Sequence, residues 1–288
     1  MRNHLKYSSL KLRTRKGPCD LQGPSFAWAQ NLNLTLADNT IMLKAPRHAP
    51  SNASTKAAGP WYKDNELYCK PVPDSFMPSQ NWLELQALAR EWEFYGPWFI
   101  GGVTYLNLSA VVITRNSEKA DAKTVPLSFF HPRVFEHELC EYLIDYFGHE
   151  YDKSEADWLA PVNWQVVKGL PVFGARFDVA PFNMPSTRKH YIVMPITDDH
   201  MLLFSFKLGG IVQASNIQKG QCEFTHVGQE RFRLDQAPVL ELMESIIQSI
   251  TVTLSPKNQQ AYDKIKAENP ELKMAVSDTL APLQWPVK

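Results

Sequence analysis

The chain has 288 residues, 44% hydrophobic and 21% charged, the make-up of a globular protein with enough apolar material for one large domain or two small ones. Lys plus Arg and Asp plus Glu both number 30, which removes the global electrostatic case for binding nucleic acid or an anionic membrane. No apolar stretch reaches bilayer-spanning length and the basic N-terminus lacks the apolar core of a secretory signal, so a soluble, cytoplasmic protein is expected.

Residues 1–25 open with Arg2, Lys6, Lys11, Arg13, Arg15 and Lys16 and read as a basic flexible arm. Residues 26–97 are expected to form a hairpin, loops and a helix packed on the main body. In the hairpin, Leu32, Leu34 and Leu36 alternate with polar residues before the turn Ala37-Asp38-Asn39-Thr40. Two proline-rich connectors follow, at 46–60 and 70–79. From Ser79, the recurrence of Trp82, Leu85, Leu88, Ala89 and Trp92 predicts a helix ended by Gly96-Pro97.

Residues 98–254 read as the main domain. The run 98–114 is rich in β-branched and aromatic residues and predicts strand, bent at Gly101-Gly102. Over 131–147, Phe135, Leu139, Tyr142, Leu143 and Tyr146 make one helical stripe, with Glu138, Glu141 and Asp145 pointing away. Strands follow at 163–168 and 171–180, then in a hairpin over 189–207 turning at Thr197-Asp198-Asp199, then near 220–234. Val239, Met243, Ile246, Ile247 and Ile250 predict a second amphipathic helix. Short connections between successive strands imply a mostly antiparallel sheet, and the two striped helices need a flat surface to cover. The fold class is therefore α+β, an α/β sandwich. Residues 255–288 read as a helix begun by Ser255-Pro256 and an extended tail.

The chemistry-bearing motifs are sparse. There is no Gly-x-Ser-x-Gly elbow and no glycine-rich phosphate loop. Cys19, Cys69, Cys140 and Cys222 show no metal-ligand spacing; Cys140 and Cys222 read as small buried hydrophobes, and a Cys19–Cys69 pairing stays open beside a reduced state. His137 and Glu141, one helical turn apart, could hold a metal, but no second such unit occurs. Asp198-Asp199 serves turn geometry, and the ladder keeps His190 away from His200. No metal or cofactor is expected. The aromatic residues Trp92, Phe94, Tyr95, Trp98, Trp158 and Trp164 are the candidate lining of a ligand pocket or partner surface.

The element order over 98–254, with the pair 192–206 and the ESIIQSITVTLSP segment, resembles the PsbP-like fold of photosystem accessory proteins and bacterial lipoprotein domains. That resemblance implies an antiparallel sheet sandwiched by helices and a non-catalytic accessory role, and it transfers no site residue. The expected function is a non-catalytic binding or assembly protein, with a protein partner or small ligand and no nucleic acid or membrane. The alternatives are a metal-dependent hydrolase around His137 and Glu141, and an immunity-type inhibitor using Glu138, Glu141 and Asp145.

Overall fold

The hairpin expected at 189–207 lies at the middle of the computed structural model, as strands β9 (Lys189–Pro195) and β10 (His200–Gly210). The structure describes residues 18–19, 21–49, 67, 69–71, 80–95, 102–118, 128–147, 161–179, 188–210, 221–225 and 231–274. Trp98 and Trp158 lie outside these residues, as do the basic arm up to residue 17 and the tail beyond 274.

Among the described residues, one large sheet has seven strands. Its order is β4 (Lys70–Pro71), β5 (Trp82–Tyr95), β6 (Gly102–Arg115), β10, β9, β8 (Ala175–Val179) and β7 (Val162–Val166), with every pairing antiparallel. A three-stranded sheet joins β2 (Gln30–Leu36), β3 (Asn39–Ala45) and β13 (Thr251–Thr253). A small third sheet pairs β1 (Pro18–Cys19) in parallel with β12 (Arg231–Asp235), which pairs antiparallel with β11 (Gln221–Thr225).

Period-two alternation gives the large sheet two apolar faces. Leu106, Leu108, Ala110 and Val112 on β6, Leu202, Phe204 and Phe206 on β10, and Ile192 and Met194 on β9 point to one side. They pack with the small β2–β3–β13 sheet and with helix α2 (Ala237–Gln248), whose buried residues are Val239, Leu242, Met243 and Ile246. The intervening residues, including Ile113, Met201, Leu203, Tyr191, Val193 and Phe177, point to the other side and meet helix α1 (Pro132–Phe147) through Phe135, Leu139, Cys140, Tyr142, Leu143 and Phe147. Each predicted amphipathic helix therefore covers one face. A third helix, α3 (Pro256–Glu268), starts as expected: the Ser255 hydroxyl accepts from the Asn258 amide at 3.3 Å, and Pro256 follows.

Two expectations need correction. The helix predicted from Ser79 is strand β5, paired along its length with β6, so the large sheet also takes strands from before residue 96. A bulge explains the misreading. Gln86 pairs with Val111 and Leu88 with Ala110, leaving Ala87 as an extra residue. The bulge switches which parity faces the α2 side, so the apolar residues recur at three and four positions and imitate a helix. The acids of α1 are not a solvated stripe either. Glu138 pairs with Arg115, and Asp145 accepts from Trp82 Nε1 and Asn81 Nδ2, both at 3.1 Å. The ends of β5 and β6 bring these donors to the helix flank. Cys69 and Cys140 carry free thiols, in line with the simpler reduced reading rather than the alternative Cys19–Cys69 pairing. No helix among the described residues is long and apolar enough to cross a membrane.

Candidate functional site

The predicted aromatic residues divide between the two sides of the sheet. Trp164 stacks on Phe177 with ring centroids 5.4 Å apart, on the α1 side. Trp92 and Phe94 are buried on the α2 side, and Tyr95 is half-buried at the strand end. These last three support two extended segments laid along the outer edge of β5. The Trp92 indole N–H donates to the carbonyls of Pro46 and Arg47 at 3.2 and 3.0 Å, while Ala49 exchanges backbone bonds with Glu91 and Glu93. Tyr95 exchanges two backbone bonds with Gln22, and a Cβ on Gly23 would run into the Phe94 ring.

Between the two segments lies a groove of about 450 Å³. Pro24, Trp28, Pro46 and Ala49 make its apolar wall, and Ser25, Gln30 and Arg47 its polar margin. Trp28 sits on a 3-10 turn (Phe26–Trp28) whose first N–H groups are capped by Ser25, and it is 83% exposed. Every other tryptophan among the described residues is buried. The groove opens beside the start of β2, which has a hydrogen-bonded neighbour on only one side among the described residues. Sequence reasoning missed Trp28. Its one signal is a large aromatic flanked by Ala27 and Ala29, outside any apolar period.

On the α1 side, Tyr142 donates to the Glu84 carboxylate at 2.7 Å. Burial pushes Glu84 above the usual carboxylate range, against the opposing hydrogen bond from Tyr142. Beyond the end of α1 the same face turns polar. Lys189 and Lys207 stand directly opposite one another on β9 and β10. The Lys189 ammonium lies 5.2 Å from the Phe147 ring centroid and 5.9 Å from that of Tyr146. Burial, followed by the charge of Lys207, brings Lys189 down to about 8.

On the α2 side, Asp178 is fixed by His190 Nδ1 and Asn163 Nδ2, both at 2.7 Å, and by Arg188 at 3.3 Å. Asn163 adopts φ +57° to make its contact, a conformation Asn tolerates better than most residues. His200 is held elsewhere, bonding Asp199 Oδ1 at 2.7 Å inside the β9–β10 turn. That turn also positions α1: the Phe129 amide donates to the Asp198 carbonyl at 2.7 Å, and Ser128 bonds the Asp198 side chain. The aspartates thus serve the turn, as their spacing implies.

The His137 side chain is 67% exposed, with Nδ1 3.5 Å from Glu138. Among the described residues, no three His, Cys, Asp or Glu side chains come together as a metal site. Burial pushes the Cys140 thiol up to about 12, with Glu136 and Glu141 adding to the effect, so it is a poor nucleophile. No protein-family model matches the chain, and no curated protein matches it.

Proposed function

We propose that this protein is a binding or assembly module that takes an extended segment of another protein along its N-terminal hairpin. Trp28 carries the reading. Leaving a tryptophan this exposed forgoes roughly 5 kcal/mol of gross apolar burial, taking about 200 Å² at 25 cal/mol per Å². An incoming strand would pair with the side of β2 that has no strand neighbour among the described residues, as sheet-edge binders do, and seat an apolar side chain against Trp28 and Pro46. Among the described residues, Arg47 is the charged residue lining the groove, so the segment would carry an acid beside its apolar anchor. The PsbP-like resemblance over 98–254 implies an accessory or binding role of this general kind, without reaching the hairpin itself.

The test is a defined array of ten-residue peptides. The wild-type protein should retain peptides with an aliphatic or proline anchor next to an acid. Trp28→Ala should lose them with an unchanged melting temperature, and Arg47→Glu should shift selection toward basic peptides. Retention of the same peptides by Trp28→Ala, or of none by the wild type, ends this reading.

A further inference from the structure

Strand β2 ends the small sheet with a row of unbonded backbone groups. Ala37 and Asp38, in the turn to β3, have φ 49° and 61°, the type I′ geometry that makes Leu36 and Asn39 a hydrogen-bonded pair. Bonded and open pairs then alternate along the hairpin, so Thr35, Asn33 and Asn31 direct their N–H and C=O groups away from β3. The far side of β3 agrees. The Lys44 amide, opposite Asn31, donates to Ser249 Oγ at 2.8 Å, and that hydroxyl lies 3.3 Å from the Lys44 carbonyl. Among the described residues, the outward backbone groups of Asn31, Asn33 and Thr35 have no hydrogen-bond partner, and their side chains are exposed.

Exposed edges usually carry devices that stop them pairing, such as charges, prolines or bulges. β2 holds no charged residue and no proline, and its register with β3 is unbroken. Lys44, the charged residue of this sheet, lies one strand in from the edge. The strand is also complementary to itself. Turned about Asn33 in antiparallel pairing, Asn31 falls opposite Thr35, Asn33 opposite Asn33, and Leu32 opposite Leu34. Amides meet amides or hydroxyls on the outer face, and half-buried Leu32 gains a leucine neighbour on the inner face. The same register brings the outward backbone groups together, with two N–H···O=C bonds in each polar pair.

We propose that β2 pairs antiparallel with β2 of a second copy of this chain, across a two-fold axis at Asn33, joining the two small sheets into one. The contact is a single strand pair, smaller than a standard protein–protein interface, so the dimer is weak, with a Kd between about 1 μM and 1 mM. A two-fold contact closes on itself and uses both edges, so association stops at two chains. Trp28 lies outside the paired span, because β2 begins at Gln30. The pairing therefore does not depend on the segment reading above. Where that reading also holds, the two occupants compete for one edge, and self-association closes the segment site as concentration rises.

Sedimentation velocity from about 5 μM to about 500 μM tests this and should show a monomer–dimer equilibrium. Asn33→Lys, a change at an exposed side chain, sets like charges opposite each other at the axis and should weaken dimerisation at least about tenfold. Cysteine pairing reads the register. Under mild oxidation Asn33→Cys should link to itself beyond the wild-type level, since residues directly opposite lie about 5.5 Å apart at Cα. Asn31→Cys and Thr35→Cys should each stay unlinked alone and link when mixed. Trp28→Ala should dimerise like wild type, so failure of the segment reading leaves this one standing. A monomer at about 500 μM, undiminished dimerisation in Asn33→Lys, loss of the dimer in Trp28→Ala, or Asn31→Cys linking to itself as fast as Asn33→Cys overturns the proposal.

Discussion

Asn39 and Ile196, 157 residues apart, are joined by a 2.8 Å bond from the Asn39 side-chain amide to the Ile196 carbonyl. The Asn39 side-chain oxygen accepts from the Ser255 amide at 2.8 Å and from Asn258 Nδ2 at 3.0 Å. One fully buried amide therefore ties the N-terminal hairpin, the central hairpin turn and the start of α3 together. Asn39→Ala leaves three buried polar groups without that partner. We expect a loss of about 2–4 kcal/mol, against about 1 kcal/mol for Ser255→Ala, which removes a helix cap alone. The midpoint of urea unfolding at constant slope measures both. A smaller loss for Asn39→Ala than for Ser255→Ala would show that this amide does not hold the elements together.

The Asp178–His190 contact predicts an acid-sensitive contribution to stability. Burial pushes the Asp178 carboxyl up, but the His190 hydrogen bond and charge, then Asn163 and Arg188, hold it below the usual aspartate range. A carboxyl depressed in the folded state stabilises above its unfolded pKa, roughly 4, and loses that contribution as pH falls through the lower folded value. Asp178→Asn should thus be the less stable protein at pH 7, by about 1–3 kcal/mol for a charged hydrogen bond. The gap should close progressively below pH about 4. Unfolding measured at several pH values reads this, and a gap that stays constant down to pH about 2 contradicts it.

Glu84 predicts the opposite sign. Its carboxyl is raised by burial, with the Tyr142 bond acting in the other direction, so the folded state binds the proton more tightly than the unfolded chain does. The ionised group therefore costs stability at neutral pH, and that cost disappears below the unfolded glutamate value of about 4.3. Glu84→Gln keeps an oxygen for the Tyr142 hydroxyl and should be more stable than wild type at pH 7. The two proteins should converge in acid. A destabilised Glu84→Gln at pH 7 would mean that the carboxylate is anchored by more than Tyr142.

Elements governed by one regular period were legible in the sequence. The stripe from Phe135 to Tyr146 became α1, that from Val239 to Ile246 became α2, and the alternation about the 197–199 turn became the β9–β10 pair. The facing lysines were within reach too, since a hairpin centred on Asp198 pairs residues equidistant from it, and Lys189 and Lys207 each lie nine positions away. What local pattern could not supply was long-range placement. Arg115 and Trp82 reach α1 from strands far away in sequence, so Glu138 and Asp145 looked like a solvated face. Trp92, Phe94 and Tyr95 hold the two segments that wall the groove, whereas the exposed indole among the described residues is Trp28.

The bulge that disguised β5 as a helix yields the sharpest test of the sheet. Ala87 is the one residue of β5 in the run from Trp82 to Phe94 without a partner in the β5–β6 register. Deleting it lets Gln86 and Leu88 follow one another opposite Val111 and Ala110, so every remaining side chain keeps its face. Deleting Arg90 or Glu91 instead shifts part of the strand by one position and turns buried residues, either Leu88 or Trp92 and Phe94, toward the wrong face. The Ala87 deletion should therefore fold, at a cost of about 1–3 kcal/mol for the lost buried methyl and the altered twist. The other two deletions should fail to give a cooperative unfolding transition. If all three behave alike, β5 does not sit in the register described here.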